Sequence, residues 1–199
     1  MAGKLFIFEG PDGVGKSTIV QGLREKLPSD AFTFLSFPGK EEGTLGQAIY
    51  RIHHEPKNFG IAGMSELARQ ALHIAAHIDV IETRIRPWIA EGKYVVLDRF
   101  WWSTIVYGLV GGGNVGALEA LVAAEETVWG DIIPAIAFLI DRDRPINRQE
   151  EPSYWQDLRK SYAQLATSER GKYNVEIIRN TGSISDGVEH ASAGIQSAL

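Results

Sequence analysis

The apolar positions of this chain fall into two alternating patterns. Short unbroken runs occupy 5–8 (LFIF), 32–37 (FTFLSF), 94–98 (YVVLD), 135–141 and 175–178. Their length and their aromatic and β-branched content predict buried strands. Between them the period lengthens. Ile19, Val20, Leu23 and Leu27 form one stripe on a helix that Pro28 ends. Thr44 is placed to cap a helix running to about Ile52, and 53–63, with Pro56, Gly60 and Gly63, reads as a connection. Leu67, Ala71, Ile74, Ile78, Ile81, Ile85 and Trp88 recur in steps of four and three, which predicts a long helix over 65–88 with Ser65 as its cap and Pro87 near its end. Further helices are predicted over 101–109, 117–128, 154–168 and 185–199, with a glycine turn at 111–113. Strands that alternate with helices predict an α/β fold, a three-layer sandwich with a central parallel five-stranded sheet covered on both faces. Nothing in the pattern divides the chain, so 1–199 is expected to be a single domain.

The residues after the first strand turn a fold into a chemistry. Positions 10–17, GPDGVGKS, fit G-x-x-x-x-G-K-[ST] between a predicted strand and a predicted helix. A polyphosphate is a dense anion, and a helix N-terminus offers it unpaired N–H groups and a partial positive charge. Glycine lets the backbone wrap phosphate without Cβ clashes. Lys16 adds a cation at the outer phosphates, and the Ser17 hydroxyl is a candidate ligand for Mg2+.

In a parallel sheet, ligands gather beyond the carboxyl ends of the strands. The exits here are Glu9 with the glycine loop, Phe37-Pro38-Gly39-Lys40, Asp98-Arg99, Asp141-Arg142 and the neighbourhood of Asn180. Three of these five exits carry a basic residue, and Glu9 and Asp98 are expected near the magnesium end of the loop. The charged stretch over about 142–153, with Arg142, Arg144 and Arg148, reads as a short lid that closes over nucleotide and excludes water. Each feature has a plainer alternative: Asp98 as a helix cap, Lys40 as a solvated loop lysine, the arginines as a solvated charge run. Convergence favours the chemistry, because phosphoryl transfer needs several cations around one group.

Composition narrows the classes further. The 199 residues carry a formal charge of −5, which argues against broad nucleic-acid binding. No apolar run approaches the ~20 residues of a membrane span, and 1–10 lacks a signal-peptide pattern. There is no cysteine, so disulfides and thiolate chemistry are excluded, and a cytoplasmic enzyme without membrane association is expected.

Taken together, these residues resemble the thymidylate kinase family over nearly the whole chain. FEGPDGVGKST is close to that family's phosphate loop, including Asp12. FPGK at 37–40 is similar to its second strand exit, where an arginine usually stands. GKYVVLDRF matches its mid-chain block, and Ser103 and Tyr107 fall where the family has a serine and an aromatic. The resemblance implies a P-loop kinase that moves the ATP γ-phosphoryl group to dTMP. It implies Gly10, Asp12, Gly13, Val14, Gly15, Lys16, Ser17, Thr18, Arg142 and Asn180 around ATP, with 180–182 at the adenine. It implies Asp12, Phe37, Lys40, His73, His77, Arg99, Ser103 and Tyr107 around the acceptor. Lys16, Asp98, Arg99 and Arg148 would be catalytic, Ser17 and Asp98 would serve Mg2+, and the family's habit implies a homodimer. Val14 stands where some members carry an arginine, which assigns the missing cation to Arg148 and its neighbours in the lid.

The departures concern the base. Counting back from Pro87, His73 and His77 hold the places of the family's base-stacking aromatic and base-reading arginine, and Gly108 replaces a polar residue. Imidazole can stack and make one hydrogen bond, but not the fork of a guanidinium. Another deoxynucleoside or modified monophosphate is therefore the alternative substrate. Two histidines four apart also invite a metal reading, for which no third ligand of suitable spacing is evident. A nucleotide-dependent switch is the rival from another class. It calls for an N-K-x-D motif, and the nearest string, Asn147-Arg148-Gln149-Glu150, lacks both the lysine and the aspartate.

Overall fold

The computed structural model describes residues 2–146 and 151–199. Five parallel strands form one sheet: β1 (Leu5–Glu9), β2 (Phe32–Ser36), β3 (Tyr94–Asp98), β4 (Pro134–Asp141) and β5 (Asn174–Arg179), in the spatial order β2-β3-β1-β4-β5. β1 is buried along its whole length, which is why its sequence is an unbroken apolar run. Its alternate residues feed two cores. Leu5 and Ile7 face one side with Leu97, Leu139, Trp102 and Tyr162. Phe6 and Phe8 face the other with Phe138, Ile19, Leu23, Ala191 and Ile195.

The second face is covered by α1 (Lys16–Lys26) and α8 (Ile184–Ser197), the latter started by a Ser183–Asp186 capping box. The first face carries α3 (Glu66–Val80), α4 (Arg86–Ala90), α5 (Trp101–Val110), α6 (Val115–Trp129) and α7 (Pro152–Glu169). The sheet with helices on both faces is the three-layer α/β arrangement that the alternating pattern predicts.

Two departures from the predicted elements bear on the site. The stretch at 53–63 is less irregular than expected: α2 (Leu45–His54), capped by Thr44, runs two residues further, and a 3-10 turn follows at Pro56–Phe59. Both His53 and His54 are therefore helical. The predicted long helix is present, but a π-helical stretch at Ile81–Ile85 joins α3 to α4 just before Pro87, whose missing N–H breaks the regular ladder. The buried face differs in turn. Ile74, Ile81 and Ile85 are inside as expected, together with Gln70 and His77, whereas Leu67, Ala71, Ile78 and Trp88 are half-buried.

Candidate active site

The strand order reverses around β1, so a crevice opens where β1, β3 and β4 end. The glycine loop lies there. Gly10 has φ 138°, and a Cβ on it would sit 2.4 Å from the Ile140 carbonyl oxygen. Gly15 has φ 93°, and a Cβ there would strike the Asn180 amide at 2.4 Å. Both positions therefore require glycine. The Lys16 ammonium is buried against the loop's own carbonyls, 2.7 Å from Gly10 O and 3.1 Å from Pro11 O. Burial lowers its pKa to about 8, and Arg99 adds to the effect. Ser17 and Thr18 are exposed in the first turn of α1, while the Val14 side chain is in the core.

Ser17 Oγ donates to Asp98 Oδ2 at 2.6 Å. Two hard oxygen donors beside a phosphate loop suit Mg2+. Glu9 does not join them. Its Oε1 accepts from the backbone N–H of Phe100 at 2.7 Å and of Ser103 at 3.0 Å, and its Oε2 accepts from Ser103 Oγ at 2.8 Å. It caps α5 from the end of β1. Burial holds its pKa above the ordinary value, with Arg99 and Lys16 pulling the other way.

Among the described residues, Arg99 is the non-glycine residue with a left-handed backbone, φ 85°. Its N–H donates to Phe8 O at 2.9 Å, which holds that conformation. From there the guanidinium pairs with the Asp12 carboxylate and donates to Ser103 Oγ at 2.9 Å. It also lies over the Tyr107 ring, 5.5 Å from the centroid. The Asp12 N–H donates to the Tyr107 hydroxyl at 2.9 Å. Ser103 is a bracket: its hydroxyl donates to Glu9 and accepts from Arg99 and from Tyr162 Oη, at 2.8 Å. It thereby orients Arg99.

Other predicted residues sit apart from these. The Asn180 side chain is 4% exposed, and its amide donates to Val14 O at 2.6 Å. It braces the loop from the end of β5. Arg142 donates to Asn180 O at 2.6 Å. Phe37 is a core residue, stacked on His77 with centroids 3.8 Å apart. His77 is 3% exposed, and its Nδ1 lies 2.7 Å from Glu125 Oε2. His73 Nε2 meets His53 Nδ1 at 3.1 Å. Burial lowers the His73 pKa to about 3 and the His53 pKa to about 4, and the charge of Arg99 reaches both. Among the described residues no group of three or more metal-binding side chains forms. Lys40 is exposed, 4.5 Å over the Tyr50 ring, and with Ser17, Arg24 and Asp98 it lines a cleft of about 240 Å³. Arg148 lies outside the described residues. Gly108 leaves no gap, because a Cβ there would meet the Leu118 side chain at 2.6 Å and Gln70 Cγ at 3.3 Å.

Four side chains join the site without having been singled out in the sequence. Trp155 Nε1 donates to Asp12 O at 2.9 Å, and Tyr162, two turns along α7, holds Ser103. Glu125 holds His77, and Gln70 fills in beside Gly108. All four are buried on the inward faces of their helices. Their one signal was polarity at an inward position.

Comparison with known proteins points to one family. The thymidylate kinase family model matches residues 8–180. The chain is 33% identical over 180 residues to the thymidylate kinase of Symbiobacterium thermophilum, covering 84% of this chain and 82% of that one. It is 30% identical over 200 residues to that of Nostoc punctiforme, covering 93% and 90%. Its fold matches the crystal structure of thymidylate kinase from Ehrlichia chaffeensis with a TM-score of 0.76 at 21% identity, over 98% of this chain and 100% of that one.

Proposed function

The chain belongs to the thymidylate kinase family, and we propose that it transfers the γ-phosphoryl group of ATP to the phosphate of dTMP, giving dTDP and ADP. One observation carries this reading. The Arg99 guanidinium, paired with Asp12 of the phosphate loop, stands close enough to Lys16 to lower its pKa. A donor-side cation and an acceptor-side cation thus flank one loop, as transfer between two phosphates requires.

The chain's own groups divide the work. The loop N–H groups and Lys16 hold the donor phosphates, and phosphate draws Lys16 away from the carbonyls of Gly10 and Pro11. Arg99, fixed by Ser103 and Phe8 O, orients the acceptor phosphate. Asp12 sets Arg99 in place and offers a carboxylate to the acceptor's 3'-hydroxyl. Ser17 and Asp98 would hold Mg2+, which supplies positive charge to the phosphate oxygens. No covalent intermediate on the protein is required, since positioning and charge neutralisation lower the barrier. Within the lid over about 142–153, Ile146 N–H donates to Gly13 O at 2.8 Å, and its last residues, Pro152 and Ser153, belong to α7.

The half-buried apolar residues Leu67, Ala71 and Ile78 on α3 support a homodimer through this helix. No helix among the described residues is long and apolar enough to cross a membrane, in keeping with a cytoplasmic place of action. A panel of nucleoside monophosphates with Mg·ATP tests the substrate. dTMP is expected to be turned over fastest. Faster turnover of another monophosphate overturns dTMP, and transfer to none, with equal affinity for GTP and ATP, favours a nucleotide-dependent switch.

A further inference from the structure

The loop carbonyls from Gly10 to Val14 each accept a hydrogen bond. Lys16 Nζ donates to those of Gly10 and Pro11. The Trp155 indole donates to that of Asp12 at 2.9 Å, the Ile146 N–H to that of Gly13 at 2.8 Å, and the Asn180 amide to that of Val14 at 2.6 Å. A planar trans peptide points its N–H away from its C=O. The partner of each carbonyl therefore also sets the direction of the next residue's N–H. Those N–H groups are what such a loop offers an anion.

The peptide between Asp12 and Gly13 depends most on its partner. Gly13 has φ 81°, and glycine takes positive and negative φ about equally readily. A flip of this peptide is thus sterically cheap, and it would aim a carbonyl at phosphate in place of an N–H. Trp155 opposes the flip. It is 1% exposed and packs with Phe8, Val14 and Ile140 in the core of the second face. Its indole can donate and not accept, so it holds a carbonyl and never an N–H. The Asp12 carbonyl therefore points into the protein, and the Gly13 N–H points the opposite way, into the crevice. On the other side of Asp12, the N–H is tied to the Tyr107 hydroxyl at 2.9 Å.

We propose that Trp155 is a positioning residue for the nucleotide's phosphates: its indole N–H locks the Asp12–Gly13 peptide with the Gly13 N–H aimed at the polyphosphate. The inference rests on the reading of this loop as the nucleotide site. It adds a residue of α7, 143 positions from Asp12, to the groups that shape it.

Trp155→Phe keeps a ring in the core and removes the N–H. Calorimetric titration with Mg·ADP should show affinity weakened about three- to tenfold, the effect of one hydrogen bond. In 15N NMR the wild-type Gly13 amide should shift strongly on saturation with Mg·ADP, and the variant should lose most of that shift. A merely structural role would lower the melting temperature and leave both readouts unchanged. A folded variant that binds Mg·ADP as tightly as the wild type overturns the proposal. So does a wild-type Gly13 amide that does not respond to Mg·ADP. If the variant does not fold, the wild type decides. Its Trp155 indole proton should stay protected from exchange in the Mg·ADP complex, and loss of that protection on binding overturns the proposal. Binding of Mg·ADP needs no acceptor, so a failure of transfer to dTMP leaves this result standing. A wild type that binds no Mg·ADP contradicts the nucleotide site itself.

Discussion

Arg99 and Asp12 form an ion pair between the end of β3 and the phosphate loop, and the pair is drawn together by a left-handed backbone at Arg99. The guanidinium reaches the loop because Glu9 pins the start of α5 and Ser103 receives the other side of the fork. Arg99→Ala should lower kcat/KM for the acceptor by about 10²–10³, the usual cost of losing a preorganised charge donor. The KM for ATP should change little. Steady-state kinetics with each substrate varied in turn checks the split.

Lys16 gives a pH dependence with a definite sign. Its pKa is about 8 because burial disfavours the ammonium. A bound polyphosphate favours the charged form, so the pKa rises in the complex. ATP affinity should be full below pH 8 and fall as pH rises above it, with proton uptake on binding. Calorimetry in buffers of different ionisation enthalpy measures that uptake directly. Lys16→Met should abolish both the uptake and phosphoryl transfer.

Asn180 separates bracing from base contact. Asn180→Ala removes the amide that holds Val14 O. A buried carbonyl left open costs about 1–3 kcal/mol, so the KM for ATP should rise by about one decade or more. The preference for ATP over GTP should stay unchanged if the side chain acts through the loop, and should fall if it contacts adenine. Donor kinetics with both nucleotides show the difference.

Glu9 titrates against the fold. Burial raises its pKa above 4.5. Relative to an unfolded chain, its contribution to stability is present below that ordinary value and is lost as pH rises through the folded value. Glu9→Gln cannot titrate. The stability of the wild type relative to the variant should therefore decline as pH is raised from about 4 toward neutrality, by urea unfolding at each pH. Glu9→Ala should instead be destabilised throughout, because the N–H groups of Phe100 and Ser103 lose their acceptor.

The sheet and its loop were legible because parallel strands and P-loops leave local marks: unbroken apolar runs, and glycines where φ is positive. Asp98 and Arg99 could be singled out from a strand exit alone, and Ser17 from the loop motif. The sequence also marked His73 and His77 as the residues to watch. It could not show that His77 lies under Phe37 with its Nδ1 against Glu125, because that pairing joins residues 48 positions apart. Asn180 was legible as a strand exit, but its direction depends on how closely Gly15 approaches it. Pattern likewise failed on the face of α3. Gln70 and His77 are polar yet inside, and the π-helical stretch before Pro87 shifts the helix phase that a regular count assumes.

Transfer between two nucleotides, rather than hydrolysis of one, is the claim on which these roles depend. 31P NMR of the wild-type enzyme with Mg·ATP and dTMP tests it most directly. The β-phosphate signal of dTDP should grow in step with ADP, one for one, and should be slowed strongly by Arg99→Ala. ADP that accumulates with inorganic phosphate and without dTDP would contradict it.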